Sequence, residues 1–321
     1  MRGDVFTRIR RACARVVRRA RRVRVDEARL VALADELAQT PPPVSHLDPA
    51  RAGLADADTT LAYVVVLDAI NFGSGYFPYL KKRPGCSGYF TVAAALSERF
   101  QREGAWRADE LAALSARDMA RVLGQDTAVP EVAELMELFA RALTELGRFA
   151  LERYDGRLEG AIAEADGSAA RLVEILAAMP PYRDVASYAG EEVPFYKRAQ
   201  LTAADLAAAF RGEGYGRFRD LDHLTLFADN LVPHVLRREG VLVYDPELAR
   251  QIDAGELVDA GSPEEVEIRA AAVHAVERCV ETLRARGVAA TAHELDSVLW
   301  TRGQRPEMKA HPRHRTRTTY Y

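Results

Sequence analysis

Within Leu224-Thr225-Leu226-Phe227-Ala228-Asp229-Asn230-Leu231-Val232-Pro233, one carboxylate sits in the middle of an apolar run. A carboxylate flanked by Phe, Ala and Leu tends to be desolvated, which disfavours its charged form and makes it reactive. The same residues admit a second reading: Asp229 or Asn230 caps a helix that holds Pro233 in its first turn. Two further segments carry cations that bear on the choice. Phe195-Tyr196-Lys197-Arg198-Ala199-Gln200 lies upstream, and the chain ends in His314-Arg315-Thr316-Arg317-Thr318-Thr319-Tyr320-Tyr321. Lys197 either pairs with a carboxylate structurally or works in a site. Arg315 and Arg317 either pin the tail or bind an anion.

The residue types also exclude chemistries. Cys13, Cys86 and Cys279 are far apart, with no CxxC or Cys/His cluster, so neither a zinc site nor a disulfide framework is indicated. No metal and no cofactor are expected, and a reducing, cytoplasmic setting fits. Net charge is −3 despite many charged residues, which argues against a generalised nucleic-acid binder. No apolar run reaches the roughly 18 residues of a membrane span. Nearly half of the 321 residues are hydrophobic, enough for a substantial core in one large domain or two small ones.

The elements that would position these residues are helical almost throughout. Val5, Ile9, Ala12, Val16, Ala20 and Val23 recur at helical spacing behind Asp4, a candidate cap. The arginines around them read as the solvated face of an amphipathic helix, not as a targeting signal. Residues 26–38 form a second helix with Leu30, Leu33, Ala34 and Leu37 on one side, stopped by Pro41-Pro42-Pro43. His46 follows in a loop, as a surface residue or a ligand. Leu61 to Phe72 reads as a buried helix, with Asp68 and Asn71 as polar groups that need partners. Gly73-Ser74-Gly75 lacks the spacing of a phosphate loop.

From Gly88 to Leu176 the pattern stays helical. Its longest stretch, Val132 to Tyr154, carries Leu135, Leu138, Phe139, Leu143, Leu146, Phe149 and Leu151. Leu158 to Met179 reads as one more amphipathic segment, closed by Pro180-Pro181. Tyr182-Arg183-Asp184 opens a polar stretch, and Thr202-Ala203-Ala204-Asp205 reads as the capped start of a helix over Leu206 to Phe210. Val241 to Tyr244 is β-prone. Ser262-Pro263-Glu264-Glu265 is a capping box for a helix that Gly287 stops, with Ile268, Ala272, Ala275, Val276, Cys279 and Leu283 as its buried stripe. Glu267 and His274 are expected outside that stripe, and Glu265 as a cap. The closing tyrosines suggest a docked tail. The fold class is therefore all-α, with at most a few short strands.

Phe195 to Gln200, Leu224 to Asp229, Glu265-Val266-Glu267-Ile268-Arg269, Leu295-Asp296-Ser297-Val298-Leu299-Trp300 and the tail resemble the queuosine salvage protein family. Leu67-Asp68-Ala69-Ile70-Asn71-Phe72 resembles that family's N-terminal block. The likeness extends from about His46 to the last residue, in one order. Gly73 to Pro78 departs from the family's Cys-Phe-Trp-like continuation, which bears on the pocket wall.

The resemblance implies a fold similar to helical DNA glycosylases, in a single domain over residues 1–321 with the helices of 1–40 packed on it. It implies hydrolysis of the N-glycosidic bond of queuosine 5′-phosphate, releasing queuine, with no direct tRNA binding and no membrane association. Asp229 then offsets charge on an oxocarbenium-like sugar and orients or deprotonates water, while Lys197 holds Asp229 ionised or contacts ribose or phosphate. Asp296 is suited to the guanine-like N1–H and 2-amino donors of the base, or is a surface helix residue. Phe227 and Trp300 are stacking partners or ordinary core. His46, Asn71 and Phe72 join the binding residues, and Arg198, Arg315 or Arg317 take the phosphate. The competing readings are a helical nucleic-acid-binding protein, a base glycosylase acting on a polymer, and a non-catalytic helical protein.

Overall fold

A computed structural model of the chain describes residues 3–40, 54 and 56–321. Helix α1 (Val5–Arg19) is capped by Asp4, whose carboxylate accepts from the Thr7 amide at 2.7 Å. It buries Val5, Ile9, Ala12 and Val16 as expected, together with Phe6 and Cys13. The stripe does not continue through Ala20 and Val23. The helix ends at Arg19, and Val23–Val25 is a strand, β1. The cause is distant in sequence: the Glu267 carboxylate accepts from the amides of Arg21, Arg22 and Val23 and holds the chain extended. Helix α2 (Glu27–Leu37), capped by Asp26, buries the four residues its spacing predicts. Pro41 to Pro43 and His46 lie outside the described residues.

Helix α3 (Ala57–Ala69) is buried from Thr60 onward, as its unbroken apolar run requires. Helices α4 (Gly88–Glu103), α5 (Ala108–Ala112), α6 (Ala116–Leu123) and α7 (Pro130–Tyr154) follow. Helix α7 is the longest, but Leu151 points outward, not into its stripe. Gly147 lets α5 lie directly on α7: a Cβ there would stand 2.5 Å from the Ala108 carbonyl oxygen and the Ala112 nitrogen. The segment 158–179 is two helices and not one. Helix α8 (Gly160–Ala165) and helix α9 (Ala169–Leu176) are separated where Asp166 and Gly167 take positive φ of 49° and 66°.

The polar stretch after Tyr182 contains a hairpin that the sequence reading did not anticipate. Strands β2 (Val185–Tyr188) and β3 (Glu191–Pro194) pair antiparallel, Val185 with Pro194 and Tyr188 with Glu191. Ala189 and Gly190, at φ 51° and 81°, form the two-residue turn, whose positive-φ backbone matches the right-handed twist of the flanking strands. Helix α10 (Lys197–Ala209) then begins well before Thr202, which is a buried interior residue and not a cap. Its start is set by Asp184, whose Oδ2 accepts from the Lys197 amide at 3.1 Å.

Helix α11 (Leu231–Arg238), strand β4 (Leu242–Tyr244), helix α12 (Pro246–Asp253), helix α13 (Pro263–Ala285), helix α14 (Ala292–Gly303) and the short α15 (Pro306–Lys309) complete the order. Strand β4 pairs antiparallel with β1, Val23 opposite Tyr244. The expected helical class holds: among the described residues the sheets are two two-stranded ribbons.

Contacts divide the described residues into two compact units. Residues 3–40, 184–197 and 222–317 form the first, and the others form the second. In the first, α13 is the central element, with α1, α2, α11 and α14 packed around it. Ser262 caps it, and the predicted stripe is buried, but so are Glu265, Glu267 and Arg269. Glu267 is thus inside, not outside as its polarity suggested; three backbone amides and the Tyr188 hydroxyl satisfy it. The second unit is built on α7, which packs against α3, α5, α6 and α8. No helix among the described residues is long and apolar enough to cross a membrane.

Candidate active site

Asp229 stands at the entrance to α11, half-buried. Its Oδ1 accepts from the amides of Leu231 at 2.8 Å and Val232 at 3.2 Å. The capping reading is therefore correct in substance, although Asn230 is the formal boundary residue and makes no side-chain cap. Capping fixes the carboxylate through one oxygen and leaves Oδ2 outside that contact. The two readings of Asp229 do not compete.

Asp296 comes from α14 and is buried. Its Oδ1 accepts from the Phe227 amide at 3.1 Å, two residues before Asp229. Burial pushes the Asp296 carboxyl well above the usual carboxylate range, and the neighbouring Asp229 pushes the same way; the Phe227 amide and Lys197 oppose both. The surface-helix reading of Asp296 is thereby excluded. Lys197 is buried as the first residue of α10. Phe227 is buried in the Asp229 loop, and Trp300, half-buried, lies four residues beyond Asp296 on the same side of α14. The first unit thus gathers Asp229, Asp296, Lys197 and Phe227.

A buried ionic network underlies these residues. The Arg269 guanidinium grips Asp184 with two parallel hydrogen bonds of 2.9 and 2.6 Å. Its Nε donates to the Ala228 carbonyl at 3.0 Å, and it lies 4.0 Å over the Phe195 ring. Glu265 approaches the same guanidinium at 3.4 Å and accepts from the Gly261 amide. Burial of such charges is tolerable only because each is paired and hydrogen-bonded. Asp184 was not singled out from sequence, and no local signal marks it. Arg269 carried one: it follows Glu265 by four residues, a helix-neighbour spacing.

The tail belongs to this unit as far as Arg317. Arg315 bonds the Gly255 carbonyl, and its own carbonyl accepts from the Val258 amide at 2.9 Å. It therefore anchors the tail, one of the two roles its type allowed. Arg317 is half-buried two residues on. The tail also brings Arg313, which sequence reasoning passed over: desolvation lowers its pKa while Asp229 raises it, so the two are electrostatic neighbours. His314 is buried, and burial followed by the nearby Arg269 lowers it to about 3. Its carbonyl accepts from the Asn230 side chain.

Asn71, Phe72 and Arg198 lie in the second unit. Phe72 is buried edge-on to Phe139, with ring centroids 5.0 Å apart. The Arg198 guanidinium lies 4.8 Å over Phe72 and 4.9 Å over Tyr182, and bonds the Ala69 and Pro181 carbonyls. It thereby satisfies one of the carbonyls left open at the end of α3. The amide of Asn71 donates to the Asp68 carbonyl at 3.2 Å.

Two neighbouring carboxylates, a buried lysine and an aromatic side chain thus meet in one helical unit. The chain belongs to the queuosine salvage protein family, whose match runs over residues 52–321. It is 40% identical over 319 residues to a queuosine 5′-phosphate N-glycosylase/hydrolase of Sphaerobacter thermophilus, covering 96% of this chain and 95% of that protein. Proteins of the same name from Dictyostelium discoideum (33% identical, 82% of this chain and 79% of theirs) and Bos taurus (34%, 73% and 72%) are also similar.

Proposed function

We propose that this protein hydrolyses the N-glycosidic bond of queuosine 5′-phosphate, with water adding to the sugar, to give queuine and ribose 5-phosphate. The observation that carries the reading is the Phe227 amide bonded to Asp296, which sets the Asp229 carboxylate beside a second acid group. The relatives' shared name supports the substrate.

The base of this nucleotide is a 7-deazaguanine. It has no N7 to protonate, so assistance to its departure must come from the sugar side or from the rest of the base. Asp229, aimed by the first turn of α11, offsets positive charge at the anomeric carbon and orients the attacking water. Lys197 supplies the opposite charge beside the carboxylates. Asp296 accepts from the N1–H and 2-amino group of the base, with Phe227 and Trp300 as flanking rings. With Arg315 anchoring the tail, Arg317 brings the permanent cation for the phosphate. We place the reaction in the cytoplasm, a compartment in which Cys13, Cys86 and Cys279 stay reduced; none of them forms a disulfide among the described residues.

The test is incubation of purified protein with queuosine 5′-phosphate, with queuine followed by chromatography. Asp229→Asn should abolish turnover and keep substrate binding. Release at the parent rate by that variant removes Asp229 from the mechanism, and no release by the parent protein removes the function.

A further inference from the structure

We infer that Arg269 is a positioning residue that holds the Asp229 loop and the start of α10 at a fixed separation, and so sets the geometry between Asp229 and Lys197. This rests on the proposed N-glycoside hydrolysis at the same site. Asp229 lies in a loop and Lys197 is the first residue of α10, so no single element holds the two at a fixed separation. The Ala228 carbonyl, one residue before Asp229, accepts from Arg269 Nε at 3.0 Å. The other face of the same guanidinium clamps Asp184 through both carboxylate oxygens.

Asp184 passes that constraint to Lys197. Its Oδ2 accepts from the Lys197 amide at 3.1 Å, and its own carbonyl accepts from the amides of Phe195 and Tyr196. Tyr196 takes φ +47°, a left-handed conformation that a tyrosine holds only when its surroundings impose it. The Phe195 ring beneath the guanidinium closes the arrangement. A single planar fork, 1% exposed, therefore ties both catalytic segments to α13. Lysine at this position keeps the charge, so Asp184 and Glu265 are not abandoned as buried anions, but it is a point donor and cannot bond both partners in one plane.

The experiment is a double-mutant cycle on the full chain with queuosine 5′-phosphate, combining Arg269→Lys with Lys197→Met and measuring single-turnover rates and KM. In the parent background Arg269→Lys should lower kcat by about 10²-fold, the cost of misplacing a reacting group by roughly 1 Å, with KM held within about threefold. In the Lys197→Met background the same change should lower kcat less than about threefold, because the geometry it sets no longer has a lysine to place. A folded Arg269→Lys variant with kcat within about threefold of the parent, or an equal loss in both backgrounds, overturns the inference. If circular dichroism shows Arg269→Lys unfolded, Asp184→Asn replaces it under the same expectations. A parent protein that releases no queuine overturns the functional reading itself, an outcome separate from any of these.

Discussion

The amide of Phe227 donates to Asp296 at 3.1 Å, so a carboxylate of α14 holds the loop entering α11. That places two acid groups close together, one capping a helix and exposed in part, the other buried. Burial, with Asp229 beside it, raises the Asp296 carboxyl above the usual carboxylate range, a kind of perturbation common in acid–base sites.

Asp296→Asn should stabilise the protein at neutral pH while weakening substrate binding. The asparagine keeps an acceptor for the Phe227 amide and removes a carboxyl whose charged form burial disfavours. The sign follows from linkage: the folded protein holds this proton more tightly than the unfolded chain. The stability tied to Asp296 is complete below the unfolded value near 3.9 and is lost as pH rises toward the raised folded value. Urea denaturation should show a gain of about 1 kcal/mol or more at pH 7, and no gain near pH 4. Equal effects at both pH values contradict the assignment.

Substrate binding should release a proton. In the proposed complex the N1–H and 2-amino group of the base both donate, so they favour the ionised form of a carboxyl that burial biases toward its neutral form. Titration calorimetry in two buffers of different ionisation heat should report release of up to about one proton per nucleotide near neutral pH. Asp296→Asn should abolish that release. Identical heats in both buffers for the parent protein rule this coupling out.

His314 should make the fold acid-sensitive. Its folded pKa is lowered to about 3, so the fold holds the ring neutral while the unfolded chain takes up a proton near 6.5. The stability it contributes is present above about 6.5 and is lost as pH falls toward 3. The melting temperature should drop across that window, and His314→Gln should flatten the drop. A variant with an unchanged slope assigns the acid loss to other groups.

Glu267→Ala should cost about 3 kcal/mol in urea denaturation, at the upper end for a single substitution. The carboxylate accepts from three consecutive backbone amides, those of Arg21, Arg22 and Val23, and from the Tyr188 hydroxyl at 2.7 Å. Its loss takes the acceptor from the Val23 amide, a buried donor where β1 begins, and from the Arg21 and Arg22 amides beside it. A cost under about 1 kcal/mol places the stabilisation elsewhere.

Periodicity, caps and stops were enough to locate α1, α2, α3, α7 and α13 and to recognise that Asp229 opens a helix, because each of those signals is carried by residues within a few positions of one another. The blocks that resemble the family also contain Asp296, Lys197 and Arg269. What tertiary structure alone decided was the inside of the ionic network. Asp184 lies 85 residues from Arg269, and Glu267 lies 246 residues from the Arg21 amide it accepts. A charged residue carries no local mark of the partner that allows it to be buried, so Glu267 read as surface, the start of α10 read too late, and the β2–β3 hairpin read as a polar link. The contact of Phe227 with Asp296 belongs to the same class: an amide–carboxylate bond across 69 residues is set by how α11 and α14 pack on α13, and no spacing in the chain records it.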